Sequence, residues 1–186
     1  MLWIRRWLDT IKSRSNPLFS QEREREQEAI YAPGTRITYD AGLVPRLKKD
    51  HVQLLTIFTR MMTAAKQPDY PRIKLHLDAF QKLFNAHALS EYTKLYIFLD
   101  HAFKQDPENY ELIHEFKREM NEIGRAVRAF YAKWMEMDIN AFNVEDFLRQ
   151  ADGVGQVLVR RIKTEEERLY EIYDMTPGMF AASVLN

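Results

Sequence analysis

The chain has no cysteine, and only six glycines and seven prolines among its 186 residues. Without thiols, disulfides, thiolate metal sites and cysteine nucleophiles are all excluded. The scarcity of glycine and proline favours long helices over a turn-rich β fold. The formal net charge is zero, so we expect no nucleic-acid partner.

Long apolar runs are also missing, so the sequence predicts no segment that crosses a bilayer. The first residues do not read as a secretory signal, because Arg5 and Arg6 break their apolar stretch and no small-residue cleavage site follows. Together with the absence of cysteine, this predicts a cytoplasmic protein. The content of 46% hydrophobic and 29% charged residues is ordinary for a globular domain.

Beyond residue 41, apolar residues recur at steps of three and four in four segments, which predicts four amphipathic helices. The first begins at about Leu43. The others begin after residues of capping type, Asp69, Asp106 and Asn143, and the first two of these precede a proline in the first turn. Short polar connections between long helices make neighbours antiparallel. We therefore predict an all-α, up-down-up-down four-helix bundle with a helical N-terminal extension.

The pattern divides the chain into three parts: residues 1–40, an amphipathic segment with a polar linker; residues 41–174, the bundle; and residues 175–186, a C-terminal tail. In the first part, Trp3 and Trp7 lie close to Arg5 and Arg6. A short helix of this kind could lie on an anionic membrane, or its tryptophans could contact the bundle, a second copy or a partner protein. We favour the packing interpretation, because the apolar part is short and occurs once.

Ionisable residues interrupt three of the four apolar stripes well inside their helices. They fall at positions that antiparallel helices could bring to one level: His51, His87, Glu91, Arg161 and Glu165. His87 and Glu91 are four residues apart, and so are Arg161 and Glu165. This spacing puts both side chains of a pair on one helix face. Burial of such groups is costly unless they are paired or bind a cation, and bundles build metal sites from histidines and carboxylates of several helices. We predict a shared polar centre, although a single histidine on an apolar face is usually a hydrogen-bonded core residue.

These residues and their spacing resemble the hemerythrin-like cation-binding (HHE) domains over about residues 44–173. The run LKKDH ending at His51 resembles the first-helix histidine motif, and HALSE at residues 87–91 resembles the second-helix His-x-x-x-Glu. The run RIKTEEERLY at residues 161–170 resembles the fourth-helix signature His-Ile-x-x-Glu-Glu-Glu, followed by an apolar and an aromatic residue. His114 stands where the third helix provides a histidine.

The resemblance implies a bundle with a non-haem di-iron centre that binds oxygen or reports iron or oxygen. The ligands it implies are three histidines and two bridging carboxylates: His51, His87, His114, Glu91 and Glu165 or Glu166. Two positions depart from the family pattern. Arg161 replaces the fourth-helix histidine, and Arg118 replaces a second histidine that some members carry on the third helix. An arginine stays protonated and has no lone pair for a metal.

Three states of the centre follow from these departures. Arg161 could pair with Glu91 or Glu165 and replace the cation, so that the bundle binds metal weakly or not at all. One metal could be held by His51, His87 and Glu91 with Glu165 nearby, as in two-histidine, carboxylate-rich iron(II) sites. A complete iron pair is the least expected state, so any bound iron should be mononuclear.

The altered ligand set on a well-patterned bundle predicts a non-enzymatic sensor or regulator. It would signal through a protein partner, reached by the N-terminal segment or the tail, and it could be a homodimer. The alternative is a functional non-haem iron protein that binds one or two irons and oxygen. The sequence contains no phosphate-binding glycine loop and no nucleophile motif, so we do not expect an enzyme of another class.

Overall fold

The computed structural model describes residues 29–67 and 69–183. Its helices are, in chain order, α1 (Leu43–Lys66), α2 (Tyr70–Ser90), a π-helical segment (Glu91–Tyr96), α3 (Ile97–Ala102), α4 (Pro107–Glu136), α5 (Val144–Thr164), a second π-helical segment (Glu165–Leu169) and α6 (Tyr170–Ser183). We call α1 the first helix, α2 with its π segment and α3 the second, α4 the third, and α5 with its π segment and α6 the fourth. The predicted all-α bundle is confirmed.

Local sequence explains where the third and fourth helices begin. Asp106 caps the third, because its Oδ1 accepts a hydrogen bond from the backbone N–H of Asn109 at 3.2 Å. Pro107 then takes the first helical position, where no N–H is needed. Asn143 precedes the fourth helix as predicted, but its Oδ1 accepts from the backbone N–H of Asn140 at 2.9 Å and so stabilises the preceding turn.

Three apolar clusters lie along the bundle. The upper cluster joins the starts of the first and third helices to the ends of the second and fourth, and includes Leu43, Leu47, Leu95, Phe98, Leu99, Ile113, Phe116, Leu169 and Tyr173. The lower cluster joins the opposite ends, and includes Met61, Ala65, Ile73, Leu77, Phe130, Trp134, Phe147 and Ala151. The middle cluster contains Leu54, Phe80, Phe84, Ile123, Val127 and Leu158. This distribution fits the expected up-down-up-down order.

A layer of polar side chains separates the upper cluster from the middle one. In the first helix, His51 lies between Leu47 of the upper cluster and Leu54 of the middle cluster, and all three are buried. Burial of an imidazole inside a packed core requires partners for both of its nitrogens. The fold thus positions the candidate site by making one level of the interior polar.

Residues on both sides of the predicted bundle, 41–174, also belong to the folded structure. Ala32 is buried, and the ring of Tyr39 stacks on that of Tyr173 with centroids 4.8 Å apart. Residues 30–40 therefore close the upper end of the bundle rather than form a polar linker. At the other terminus, α6 continues across Pro177 to Ser183, so the predicted tail is helical as far as residue 183.

The predicted amphipathic segment with Trp3, Arg5, Arg6 and Trp7 lies outside the described residues, and its role stays a prediction. Among the helices that the structure describes, none is long and apolar enough to cross a membrane.

Candidate metal centre

His51 is held by carboxylates on both sides of its ring. Its Nδ1 lies 2.7 Å from Oε1 of Glu166, and its Nε2 lies 3.2 Å from Oε2 of Glu165. Burial lowers the pKa of His51, but the hydrogen bonds to Glu165 and Glu166 outweigh burial and raise it above its ordinary value. Glu166 thereby fixes the outer nitrogen and directs Nε2 to the interior, as the outer-shell carboxylates of metal-bound histidines do.

His87 has the same orientation on the second helix. Its Nε2 lies 3.8 Å from Oε2 of Glu91, and its Nδ1 faces Oδ2 of Asp50 at 3.7 Å. Burial, followed by the charge of His51, lowers the pKa of His87 to about 4. Its imidazole is therefore neutral at physiological pH, which is the form that ligates metals.

Glu91 and Glu165 are both fully buried, yet their pKa values move in opposite directions. Burial and the charge of Glu165 raise the pKa of Glu91 well above its ordinary value. Burial also acts to raise the pKa of Glu165, but the hydrogen bond from His51 and the charge of Arg161 outweigh burial and lower it. The carboxylate of Glu165 is thus neutralised by His51 and Arg161, whereas Glu91 has no cation close enough to offset its burial.

Arg161 is buried at the same level and has three oxygen acceptors. Its Nε donates to Glu165 at 2.5 Å, one terminal nitrogen donates to Glu119 at 2.7 Å, and the other donates to the hydroxyl of Tyr96 at 2.6 Å. Its guanidinium lies 4.7 Å from the ring centroid of Phe116. These contacts occupy the side of the centre that faces the third helix.

Four of the predicted ligands converge on one point. One ligand atom from each of His51, His87, Glu91 and Glu165 lies within 4.8 Å of all the others, and all four residues are buried. Within the described part of the chain, Glu91 Oε2 and His87 Nδ1 find no hydrogen-bond partner. Buried orphan polar atoms are destabilising. A divalent cation bound between the four residues would give Glu91 Oε2 a partner, whereas His87 Nδ1 faces outward to Asp50. The donor set of two imidazoles and two carboxylates suits iron, manganese or zinc.

The structure places two predicted site residues of the third helix, His114 and Arg118, outside the converging group. His114 is about one-third exposed, with its Nε2 3.7 Å from Oδ1 of Asp100, and it does not join the four-residue group. Arg118 is mostly exposed and pairs with Glu111 at 3.0 Å, so it does not alter the site. The physical reason is helical register, because Phe116 fills the interior position of this turn and His114 lies two residues away from it.

Glu166 contacts the centre without being one of the four converging residues. It contacts His51, but on the outer nitrogen, and its side chain is one-third exposed. It orients a ligand and is not a member of the four-residue group.

Sequence reasoning missed the two tyrosines of the centre. The hydroxyl of Tyr170 donates to Oε1 of Glu91 at 2.8 Å and lies 3.3 Å from Nε2 of His51. Burial, followed by the charge of Glu91, raises the pKa values of Tyr96 and Tyr170 well above the ordinary range. Each tyrosine stands five residues after the glutamate of its own helix, and this equal spacing is the signal that could have found them.

Both buried glutamates begin a π-helical segment. The segments run from Glu91 to Tyr96 and from Glu165 to Leu169. Single π turns within α-helices are frequent at functional sites. A π turn holds more residues than an α turn. The two π segments therefore let each glutamate and the tyrosine five residues after it share the interior face.

An open cleft of about 640 Å³ between the first and fourth helices reaches the centre. Its inner end is formed by His51, His87, Arg161 and Glu165, and its walls are mainly apolar, with Phe58, Phe80 and Phe84 among them. The mouth carries polar residues such as Thr59, Lys66 and Gln156. A small molecule or ion can therefore approach the centre from this side.

Comparison with known proteins bears on the nature of this centre. Residues 42–173 match the family model described as the hemerythrin HHE cation binding domain. The match covers more than two-thirds of the chain and contains all four converging residues. No curated protein and no solved structure matches the chain.

Proposed function

Because the chain belongs to the hemerythrin HHE cation-binding domain family, we propose that it binds one metal ion, preferentially iron, in a centre that has lost its second metal position. We further propose that it acts as a non-enzymatic sensor or regulator rather than as an oxygen carrier. The observation that carries the proposal is the uneven centre, in which the orphaned Oε2 of Glu91 lies on the second helix and a buried arginine that pairs with Glu165 lies on the fourth.

The ion would be held by His51, His87, Glu91 and Glu165. Both histidines direct Nε2 towards these carboxylates and Nδ1 towards an outer carboxylate, Glu166 or Asp50. This is the arrangement that outer-shell carboxylates impose on ligating histidines. The bound ion would supply the positive charge that Glu91 lacks, and binding would displace the protons that His51 and Glu91 hold in its absence.

Arg161 argues against a second ion. Its guanidinium is fixed by Glu165, Glu119 and Tyr96, and a cation next to it would meet strong repulsion at short range in a buried site. Phe116 offers no ligand on the third helix, and His114 is turned away. The positive charge of one metal is thus replaced by a side chain that cannot dissociate.

A sensor role follows from how binding would couple to the fold. The four ligands come from three helices, so an ion would tie these helices together and stabilise the bundle by mass action. Such stabilisation depends on metal concentration, and a protein partner could detect it through the N-terminal segment or through the end of the fourth helix. A second copy of the chain, in a homodimer, could detect this stabilisation in the same way.

The second candidate function is that of a working iron protein that binds oxygen at its single metal. The cleft of about 640 Å³ favours this alternative, because it gives small molecules a route to His51, His87 and Glu165.

The test is metal content by mass spectrometry after expression in iron-supplemented medium, followed by titration of the metal-free protein with Fe(II) under anaerobic conditions. We expect about one ion per chain. His87→Ala should weaken binding by at least about 100-fold, since even outer-shell changes cost about 10–100-fold. His114→Ala is the matched control and should bind as the wild type does. Two ions per chain, or no ion at all, would refute the proposal.

To separate the two candidate functions, oxygen uptake by the iron-loaded protein is measured in a sealed cell. Reversible uptake of one oxygen per iron would favour the oxygen-binding alternative over the sensor.

A further inference from the structure

We propose that Tyr170 is a fifth protein ligand of the metal, bound through its phenolate oxygen, and that this ligand makes the centre selective for Fe(III). The inference rests on the proposed single-metal centre and adds to it both a ligand and an oxidation state. The observation behind it is the position of the hydroxyl oxygen of Tyr170.

The hydroxyl of Tyr170 lies among the ligand atoms. It is 2.8 Å from Oε1 of Glu91 and 3.3 Å from Nε2 of His51. Adjacent ligands at right angles around a metal, each bound at about 2.1 Å, stand about 3 Å apart. The separation of His51 Nε2 from Glu165 Oε2, 3.2 Å, is of the same size. The phenol oxygen therefore already has the spacing of a neighbouring ligand.

The ring of Tyr170 is held where it is. It is buried in the upper cluster and lies parallel to the imidazole of His51, with an interplanar angle of 10° and centroids 5.7 Å apart. Tyr170 begins α6, directly after the second π segment. A preorganised side chain loses little conformational entropy when it binds an ion.

Charge balance indicates the oxidation state. In the metal-free protein the phenol keeps its proton and donates it in a hydrogen bond to Glu91. On binding, the O–H bond breaks, the metal–oxygen bond forms, and the phenol proton leaves to solvent together with the protons that His51 and Glu91 hold in the metal-free protein. Glu119 pairs with Arg161 at 2.7 Å and balances its charge. Glu91, Glu165 and the phenolate of Tyr170 then supply three further negative charges, which match the three positive charges of Fe(III). No electron is transferred in this step.

Tyr96 provides a matched comparison within the same centre. It stands five residues after Glu91, as Tyr170 stands five residues after Glu165. Its hydroxyl, however, accepts from Arg161 at 2.6 Å. Two tyrosines at equivalent positions thus have different neighbours, and we assign metal binding to Tyr170 alone.

The experiment loads the full-length metal-free protein with ferric nitrilotriacetate and removes the excess. Iron content is measured by mass spectrometry, and the absorption and resonance Raman spectra are recorded. We expect a coloured protein with a phenolate-to-iron charge-transfer band and tyrosine ring modes enhanced in the Raman spectrum. Tyr170→Phe should abolish the band and weaken Fe(III) binding at least 10-fold, while Tyr96→Phe should keep the band.

Each other outcome overturns the inference. Iron bound without the band, or a band that survives Tyr170→Phe, would refute phenolate ligation and leave the single-metal centre intact. Absence of bound metal in the wild type, whether Fe(II) or Fe(III), would refute the centre itself and the inference with it. If Tyr170→Phe does not fold, ring-deuterated tyrosine in the wild-type protein must shift the enhanced modes, and unshifted modes would refute ligation by any tyrosine.

Discussion

The second and fourth helices carry the same pattern in the centre and differ at one position. The second has His87, Glu91 and Tyr96, and the fourth has Arg161, Glu165 and Tyr170, at identical spacings. Each glutamate begins a π segment. The differing position is His87 in the second helix and Arg161 in the fourth. Correspondingly, the pKa of Glu91 is raised and that of Glu165 is lowered.

This comparison shows how a fixed cation can complete half of a metal centre. Arg161 neutralises Glu165 and pairs with Glu119, so the half on the fourth helix is satisfied by protein atoms. The half on the second helix keeps orphaned atoms on His87 and Glu91, as far as the described residues extend. The two halves should therefore respond in opposite ways to substitution, to metal and to pH.

The strongest way to break the comparison is to remove the internal cation. Arg161→Ala removes one of the two cationic partners of the buried Glu165, leaving His51, and also deprives Tyr96 of its donor. Loss of one member of a buried ion pair costs about 3–5 kcal/mol, and we expect a loss of this size in the free energy of unfolding, measured by urea denaturation without metal. Arg118→Ala, which removes an exposed arginine, should change it by less than about 0.5 kcal/mol. Equal effects would show that Arg161 is not buried in a charged network.

Neutralising the two glutamates one at a time sharpens the contrast. Glu165→Gln removes the charge that Arg161 requires and should destabilise the metal-free protein by about 2–3 kcal/mol. Glu91→Gln replaces a carboxyl group that burial already favours in its neutral form, and at pH 5 it should change stability by less than about 1 kcal/mol. Thermal and urea denaturation of both variants measure this. A larger loss for Glu91→Gln would reverse the assignment of the two halves.

Making the two halves alike tests the lost metal position. Arg161→His gives the fourth helix the His-x-x-x-Glu pattern of the second. We expect the metal content to rise from one towards two ions per chain. The second ion should bind about 10–100-fold more weakly than the first, because the third helix presents Phe116 and not His114 at this level. Calorimetric titration with Fe(II) measures both affinities; an unchanged stoichiometry would mean that the fourth helix never faced a second site.

The two halves should also differ in the pH dependence of stability. The folded-state pKa of Glu91 is raised above its ordinary 4.5, so its contribution to stability is present below that value and is lost as pH rises. The pKa of Glu165 is lowered, so its contribution is present above 4.5 and is lost as pH falls. Metal-free Glu91→Gln should thus gain stability relative to wild type between pH 5 and pH 8, by at most about 1.4 kcal/mol per pH unit. A difference independent of pH would contradict the raised pKa.

The fold and most of the centre could be predicted because several physical signals agreed. Amphipathic periodicity gave the four helices, and the interruptions at His51, His87, Glu91 and Glu165 gave the converging group. These residues stand in stripes of buried apolar neighbours, so their burial follows from helical period alone.

On the third helix, residue type and helical period point to different residues. The stripe through Ile113 and Met120 requires an interior residue near position 116, and Phe116 fills it. The family resemblance points instead to His114, which lies off this stripe. The tyrosines were missed for another reason, since the orientation of Tyr96 and Tyr170 depends on π turns that an α-helical period does not describe.

The two π segments also constrain how this centre could be built into another helical bundle. A π turn bonds each residue to the fifth one along, so each segment holds one more residue than an α-helix of the same path. Copying only the ligands into an idealised bundle would rotate everything downstream by about 100°, and Tyr170 with the upper core would face outward. The spare residue in each helix is as much a component of the site as any donor atom, and deleting it would dismantle the centre without touching a single ligand.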